Sequence, residues 1–416
     1  MTEFTELDSL ASATEADAPS DERAALRRVL ADTVAVIASG LRAEPTRRFR
    51  SSLGTGDQES ELAAALGYAA VSEEWDECLL DGGHPGAHVV PVALALACSR
   101  PAISGQALLD AVLSGYRIAA RLFDLHRPQY PAHPHGNLAN VGAAVAAARL
   151  IHTDPIVAAR IASDLMLAST WQPSVRGTGS RPATAGYGAL LGLHAARMAQ
   201  AGLDGSENGL REWARFAATR PPAQLARSAS ASESVSTAPE GLLASRIRLI
   251  ALPAPCQSAA EAARAMAERA NSCQKISITI PPRLEKVTRV VPENENAARF
   301  SIPYVVAHYL LGGDTPTPRL GFRKQVANLA SAITVSVCDD PELGAIGVRL
   351  AVEGAEPVVV RDPAFTAPAD DGVLAVKLGH ALGDRGSQLA STVQGLSGEP
   401  EAAAAIAGYL TEAETS

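Results

Sequence analysis

The 416-residue sequence is poor in aromatic side chains, in lysine and in cysteines spaced for pairing, and each shortage restricts what the protein can be. Aromatic residues make up 4% of the chain while alanine runs are frequent, a composition that suits closely packed helices. The five cysteines are odd in number, widely spaced and without a Cys-x-x-Cys pair. The sequence therefore predicts neither a disulfide framework nor a structural zinc site.

Basic clusters and long apolar runs are missing as well. The formal net charge is -9, and no group of Lys and Arg is interleaved with aromatic residues, which argues against a nucleic-acid-binding surface. Residues 1–22 are acidic and rich in Ser and Thr, without the basic and apolar regions of a signal peptide, and no apolar run reaches membrane-spanning length. We therefore expect a cytoplasmic protein with no nucleic-acid or membrane partner.

The length and the hydrophobic pattern predict two structural regions. A chain of 416 residues exceeds the usual size of a single core. Apolar residues recur with helical spacing through most of residues 23–220, without a strand signal, and most clearly in segments 26–41, 61–72, 105–125, 155–169 and 186–202. After a Ser-rich loop at 228–236 the period changes, and segments 275–280, 333–337, 347–352 and 357–361 have the composition of strands. Helical patterns return from 373 to 410, and this tail suits either region.

Lysine is absent from the predicted helical region. The four lysines of the chain are Lys275, Lys286, Lys324 and Lys377, all within or after the segment with strand patterns. The helical region must therefore use arginine for its cations, and arginine binds anions without exchanging protons at ordinary pH. We expect histidine to carry any acid/base chemistry of that region.

Two short turns place histidines in front of apolar helices. The turns are His84-Pro85-Gly86 and His133-Pro134-His135-Gly136, called here the first and second His-Pro turns. A residue that precedes proline is disfavoured in the helical conformation, and the helices that follow, around 92–98 and 141–149, are too apolar to face water. The pattern predicts that the histidines lie at the entrance of an interior.

These turns and three further segments resemble the MmgE/PrpD family. An acidic-aromatic-acidic stretch precedes the first turn, and the second turn leads into a run of small residues, as in the family. A Pro-Cys pair and an Ala-Arg-Phe-Ser segment ending in tyrosine follow in the family's order. In this sequence the four matching segments are Glu74-Trp75-Asp76-Glu77-Cys78 with His84-Pro85-Gly86, His133 to Ala144, Pro255-Cys256, and Ala298 to Tyr304.

The resemblance implies a mainly α fold, with a large all-helical domain over residues 1–255 and a smaller α+β lid domain over 256–384. It further implies that C-terminal helices from about 385 to 416 join the helical domain, and that the protein is a homodimer. Family members include 2-methylcitrate dehydratases, cis-aconitate decarboxylases and some epimerases. They act on small polycarboxylates at a site between the two domains, with neither a metal nor an organic cofactor.

Carried over by position, His84, His133 and Tyr304 match the catalytic residues of the family. Three substrate-binding positions depart from it: Glu74 replaces aspartate, Cys78 replaces threonine, and Arg181 replaces a lysine. We expect Arg181 to hold a substrate carboxylate and Glu74 to fix the tautomer of an active-site histidine. The family's second lysine, before the Pro-Cys pair, has no counterpart in residues 250–252.

The chemistry of such a site is elimination beside a carboxylate. Removing water or carbon dioxide needs a base, an acid and cations that hold developing negative charge, and two histidines can divide the proton transfers. The expected function is a cofactor-independent lyase, a dehydratase or decarboxylase, acting on a small or specialised carboxylate. The missing lysines suggest a less anionic substrate than methylcitrate or aconitate and favour a specialised biosynthetic pathway.

Two alternatives stay open at this stage, and a metal site is weighed beside them. An isomerase or epimerase needs the same proton transfers without a leaving group. A noncatalytic scaffold would explain the lost lysines. A metal site would require His84 with His88, or His133 with His135, together with Cys78, but this spacing does not complete a three- or four-ligand set, so no metal is expected.

Overall fold

The computed structural model describes residues 7, 10–54, 56–79, 83–217, 241–267, 275–288, 292–313, 320–361, 363, 370–396, 403–406 and 408–410. Its first ten helices are α1 Ser20–Leu41, α2 Glu44–Leu53, α3 Gln58–Ser72, α4 Gly86–Ser99, α5 Gly105–Leu125, α6 Leu138–Leu150, α7 Pro155–Asp164, α8 Gln172–Arg176, α9 Ala183–Gln200 and α10 Gly209–Ala217. The later helices are α11 Ala254–Ala267, α12 Glu295–Arg299, α13 Ile302–Leu310, α14 Lys324–Ser331, α15 Asp371–Leu382 and α16 Arg385–Gln394.

The strands are short and fall mainly in the second half. They are β1 Cys78–Leu79, β2 Ser245–Arg246, β3 Ile276–Ile280, β4 Thr334–Val337, β5 Val348–Val352 and β6 Val358–Val360. Two 3₁₀ helices are Gly241–Ala244 and Pro282–Val287, and residues 403–406 and 408–410 are also helical. The predicted mainly α fold with a smaller α+β region is confirmed.

Local capping explains where several predicted helices begin. The side chain of Ser104 accepts a hydrogen bond from the amide of Ala107 and starts α5, which has the predicted limits. Asp154 caps α7 in the same way, with Pro155 in the first turn. Helix α7 nevertheless ends at Asp164, earlier than the predicted 169. The residues after Asp164 bind the second His-Pro turn instead, since the amide of Leu167 donates to Gly136 O at 2.9 Å.

Small residues let the central helices approach closely. A Cβ atom added at Gly115 would lie 2.5 Å from Gly142 O, so α5 and α6 cross with backbone nearly against backbone. The alanines of α6 are fully buried on all sides of the helix. The alanine-rich, aromatic-poor composition therefore serves this dense helical packing.

The buried side chains form two hydrophobic clusters. The first core contains residues between Leu7 and Ala251, and it also takes in residues from Leu374 to Leu410. The second core contains residues between Ile250 and Val352, where α11 and α13 pack with a four-stranded sheet. Among the described helices none is both long and apolar enough to cross a membrane.

The four predicted strand segments all form the sheet of the second core. Its order is β4-β3-β5-β6, with β3 and β4 parallel and the other neighbours antiparallel. Strand β5 alternates fully buried and half-buried side chains, as expected for a sheet with one face on a core.

The expectation that no strand interrupts the helical region was wrong at one place. Cys78 and Leu79 form β1 and pair antiparallel with Arg246 and Ser245 of β2. Two residues are too few for a periodic signal, and their partner strand lies far away in the sequence. This pairing fixes the segment before the first His-Pro turn and brings residues 245–252 beside it.

The C-terminal helices return to the first core. Helix α15 packs against α1, and its residues Leu374 and Leu378 belong to the first core. The packing on this core therefore starts at Asp371, before the predicted junction near residue 385. The limits of the two domains remain a proposal, with the lid best drawn from about 253 to 361.

Candidate active site

A cavity of about 650 Å³ lies between the two cores. One wall comes from residues of the first core region and carries both His-Pro turns. The other wall comes from the Pro253–Pro255 segment, the 3₁₀ helix Pro282–Val287 and Phe300. The cavity lining includes Glu74, His84, His133, Trp171, Arg181, Arg248 and Lys286.

His84 is oriented by a buried carboxylate. Its Nδ1 lies 2.7 Å from Asp76 Oδ2 and 3.0 Å from Glu77 O, so Nδ1 carries a proton and Nε2 is left with the lone pair. Burial alone would raise the pKa of Asp76, but the charge of Arg248 and the hydrogen bond from His84 lower it below its ordinary value. Asp76 therefore stays ionised and holds one tautomer of His84.

Arg248 holds Asp76 in place. The guanidinium is fully buried and binds both the side chain and the backbone oxygen of Asp76, and it also donates to Leu252 O at 3.0 Å. Every one of these bonds depends on the segment that the β1–β2 pair brings across. The arginine thus fixes the orienting carboxylate without entering into proton exchange.

His133 has the opposite tautomer. Its Nδ1 accepts a hydrogen bond from the amide of His135 at 3.2 Å, which leaves the proton on Nε2. Burial, together with the positive charge of Arg181, keeps the pKa of His133 well below its ordinary value. His133 is therefore neutral near pH 7 and is a hydrogen-bond donor on the wall of the cavity.

Two further histidines join the turns to each other. His88 donates from Nδ1 to His84 O and accepts at Nε2 from the amide of Gly136, both at 3.1 Å, so it connects the first and second turns. Burial lowers the pKa of His88 to about 4 and keeps it neutral. The ring of His135 lies between the rings of His84 and His133, with its centroid 4.3 Å from that of His84 and 5.1 Å from that of His133.

Glu74 is held in a strained backbone conformation. Its φ of 57° is in the left-handed region, which is unusual for a residue with a side chain. Its carboxylate lies 2.6 Å from Arg181, and both residues are buried. Arg181 also donates to Val71 O at 2.8 Å, so this ion pair closes one side of the cavity and anchors the acidic segment, residues 74–77.

Glu77 anchors the acidic segment through hydrogen bonds with the first His-Pro turn and with α5. Its carboxyl accepts hydrogen bonds from the amide of Gly86 at 2.6 Å and from Tyr116 Oη at 3.1 Å. Burial raises the pKa of Glu77 to about 8. A Cβ at position 86 would lie 2.7 Å from this carboxyl, which explains the glycine of the first turn.

Residues 7–221, more than half of the chain, match the family model of the MmgE/PrpD N-terminal domain. The chain belongs to the MmgE/PrpD family. No curated protein matches it. Because the family generally contains dehydratases and related lyases, membership is consistent with a lyase-type role.

Compared with the expected MmgE/PrpD site, the structure changes the assignment of the orienting acid. Glu74 was expected to fix a histidine tautomer, but it pairs with Arg181, and Asp76 contacts His84 instead. Arg181 in turn is occupied by Glu74 rather than open for a substrate carboxylate. A signal for Asp76 was present, since it lies two residues after Glu74 in the acidic segment.

Tyr304 and Cys78 lie outside the cavity lining formed by the described residues. Tyr304 is fully buried, donates to Gly321 O at 2.9 Å and accepts from the amide of Arg323 at 2.8 Å. Cys78 belongs to β1, and burial raises the pKa of its thiol to about 12. Neither side chain reaches the cavity of this MmgE/PrpD protein in the structure, so the catalytic role expected for Tyr304 and the substrate contact expected for Cys78 have no geometric support here.

The cavity is more positively charged than the absence of the family lysines predicts. Its lining contains five cationic side chains, Arg127, Arg181, Arg248, Arg283 and Lys286. Arg248 lies four residues before Leu252, where the MmgE/PrpD lysine is missing. The sequence gives little indication that Arg248 contacts Asp76, because the pairing of β1 with β2 brings these two distant residues together. The loss of the family lysines therefore does not leave the site without cations.

The buried group Asp76, His84 and His135 has ligand atoms close enough for a metal ion to be considered. His135 is fully buried, and neither of its ring nitrogens has a hydrogen-bond partner among the described residues. The rings of His84 and His135, however, are stacked at an interplanar angle of 26°. In-plane lone pairs on nearly parallel rings do not converge on one point, so this arrangement is a poor donor set for a metal.

Proposed function

We propose that this protein is a cofactor-independent lyase that removes water or carbon dioxide from a small carboxylate. The observation that carries the proposal is the cavity into which two histidines of opposite tautomer face. His84 has its lone pair on Nε2 and His133 has its proton on Nε2, so the pair supplies a base and a hydrogen-bond donor. Such a division is what an elimination next to a carboxylate requires.

In a dehydration His84 removes the proton from the carbon next to the carboxylate. The imidazolium that forms is stabilised by Asp76, 2.7 Å from Nδ1. The electron pair of the broken C–H bond forms the double bond while the C–O bond breaks, and the departing hydroxide takes up the proton held by His84 and leaves as water. In a decarboxylation no C–H proton is removed: the C–C bond breaks, CO₂ leaves without the bonding electron pair, and the substrate carbon takes a proton from protonated His84, which solvent then restores.

His133 supports the negative charge that develops on an oxygen of the substrate. A neutral imidazole whose Nε2 donates a hydrogen bond polarises a carboxylate or a departing hydroxyl group without first losing a proton. The low pKa of His133, caused chiefly by burial, suits this electrophilic task better than general-base catalysis. Arg181 and Arg248 act through Glu74 and Asp76, whose positions they fix.

The test is a substrate survey in deuterated water, followed by proton NMR. The purified protein is incubated with small hydroxy, unsaturated, di- and tricarboxylates. A new alkene with release of water, or release of CO₂ with deuterium at the product carbon, supports the proposal. His84→Asn and His133→Asn should lower turnover by about 100- to 10,000-fold. His380→Asn, an exposed histidine on α15, is the matched control.

The outcomes separate the remaining alternatives. Deuterium in recovered substrate or in its stereoisomer, with no loss of water or CO₂, would favour the isomerase or epimerase. Full activity in both histidine variants would refute the assignment of the acid and the base. The open cavity and the convergence of His84 and His133 on it argue against a noncatalytic scaffold.

We also propose that the enzyme is a cytoplasmic homodimer, as the family resemblance implies. Light scattering of the purified protein should then give about twice the 43.0 kDa of one chain. A mass of one chain at micromolar concentration would contradict the dimer.

A further inference from the structure

The second-core wall of the cavity brings a lysine opposite the histidines. Lys286 belongs to the 3₁₀ helix Pro282–Val287 and is half-buried. Its Nζ lies 4.2 Å from the centroid of the Trp171 ring, and that ring contacts the imidazole of His133 with centroids 4.5 Å apart. One aromatic side chain thus separates the amine from the proposed hydrogen-bond donor.

This lysine differs from the neighbouring arginines in its pairing with carboxylates. Arg181 and Arg248 are each paired with a buried carboxylate, Glu74 and Asp76 respectively. Within the part of the chain that the structure describes, no carboxylate forms an ion pair with Lys286, and its ammonium group lies over the face of the Trp171 ring. A half-buried ammonium group beside an aromatic ring and without a counter-ion is suited to bind an anion.

Glu285 precedes Lys286 in the same 3₁₀ helix and also lines the cavity, but it forms no ion pair with Lys286 among the described residues. Burial, and then the positive charge of Arg283, lower the pKa of Lys286 to about 8, so the amine is mostly protonated at pH 7. A bound carboxylate would supply the missing counter-charge and would favour the protonated form. The lining offers the anion a position between Lys286 and the wall that carries His84 and His133.

We propose that Lys286 binds a carboxylate group of the substrate, distant from the carbon on which His84 acts. This inference rests on the proposed lyase function. Lys286 is a binding residue supplied by the second core, so it also explains why that core is needed at the site.

The first experiment measures protection of the amine by a simple dicarboxylate. The full chain is treated with a limiting amount of an acetylating reagent, with and without malonate, and the modified lysines are identified by peptide mass spectrometry. Malonate should reduce acetylation of Lys286 several-fold and leave that of the exposed Lys324 unchanged. Equal labelling of Lys286 with and without malonate would overturn the proposal.

The second experiment measures malonate affinity by calorimetry. Lys286→Met should weaken binding by about tenfold or more, the usual effect of losing a charge-assisted hydrogen bond. Lys286→Arg keeps the positive charge and should retain most of the affinity. Lys324→Met is the control for loss of a lysine elsewhere. Wild-type affinity in Lys286→Met, at an unchanged circular dichroism spectrum, would overturn the proposal.

These measurements do not depend on turnover, so the two proposals fail separately. Malonate protection of Lys286 in a protein that shows no lyase reaction would support the binding site and refute the lyase function. Turnover that is lost in His84→Asn while Lys286→Met keeps the wild-type KM would leave the lyase function standing and overturn the role of Lys286.

Discussion

The C-terminal helix α15 places a charged side chain directly beneath the acidic segment. Lys377 Nζ lies 2.6 Å from Asp32 Oδ1 and donates a hydrogen bond to Trp75 O at 2.6 Å. Lys377 and Asp32 are fully buried. Burial raises the pKa of Asp32 and lowers that of Lys377, while the opposite charge of each partner works against this effect.

Replacing Lys377 with methionine tests how much this pair contributes. Methionine keeps an apolar stem of similar length but leaves Asp32 in the core without its cation. Removing one partner of a buried ion pair typically costs about 3–5 kcal/mol, mostly because the remaining charge is uncompensated. The double variant Asp32→Asn with Lys377→Met removes that charge and should recover about half of the loss or more.

The assay is urea unfolding followed by tryptophan fluorescence and circular dichroism. Because the protein has two cores, the transition of the first core is fitted separately if the two probes do not coincide. Lys324→Met, at an exposed site, should change stability by less than about 0.5 kcal/mol. A loss below about 1 kcal/mol for Lys377→Met, with a double variant no more stable than the single one, would refute the reasoning.

Three further predictions follow from the site and the packing around it. Asp76→Asn should lower kcat by about a thousandfold or more in steady-state assays, because an amide has no negative charge to stabilise the imidazolium that His84 becomes, and an unchanged kcat would contradict the pairing. The unfolded chain binds protons more readily than His88 does in the folded protein, so stability should fall as pH is lowered from about 6.5 to about 4, by about 3 kcal/mol from this residue. Urea midpoints across this range should show a flatter profile in His88→Gln, and parallel profiles would argue against the contribution. Gly142→Ala should destabilise the protein by about 1–3 kcal/mol in the same assay, since its Cβ would overlap Gly115 O, and a neutral effect would contradict the close crossing.

The features that the sequence predicts well are those set by neighbouring residues. Helix α5 has the predicted limits because Ser104 caps its start and its apolar positions recur every three or four residues. The four strand segments of the second core follow from their own alternation and β-branched residues. Both His-Pro turns were located in the same way, since proline restricts the residue before it.

What sequence reasoning missed depends on contacts between distant segments. The pairing of β1 with β2 joins residues about 170 positions apart, and without it nothing directs Arg248 to Asp76. The early end of α7 likewise depends on hydrogen bonds to the second His-Pro turn, including one from Leu167 to Gly136. Neither interaction leaves a periodic pattern in the sequence.

The charges of the cavity explain why arginines stand near positions where the family resemblance predicts lysines. Arg181 and Arg248 each neutralise a buried carboxylate, and an arginine keeps its proton under this desolvation whereas a lysine releases it more readily. The positive charges of these two arginines are therefore neutralised by Glu74 and Asp76, which leaves them little attraction for a substrate carboxylate. Our proposal places the cation for the substrate on the opposite wall, where Lys286 lies over Trp171. The first core thus supplies the histidines that transfer protons. By our proposal, the second core supplies Lys286, which binds the substrate carboxylate and so selects the substrate.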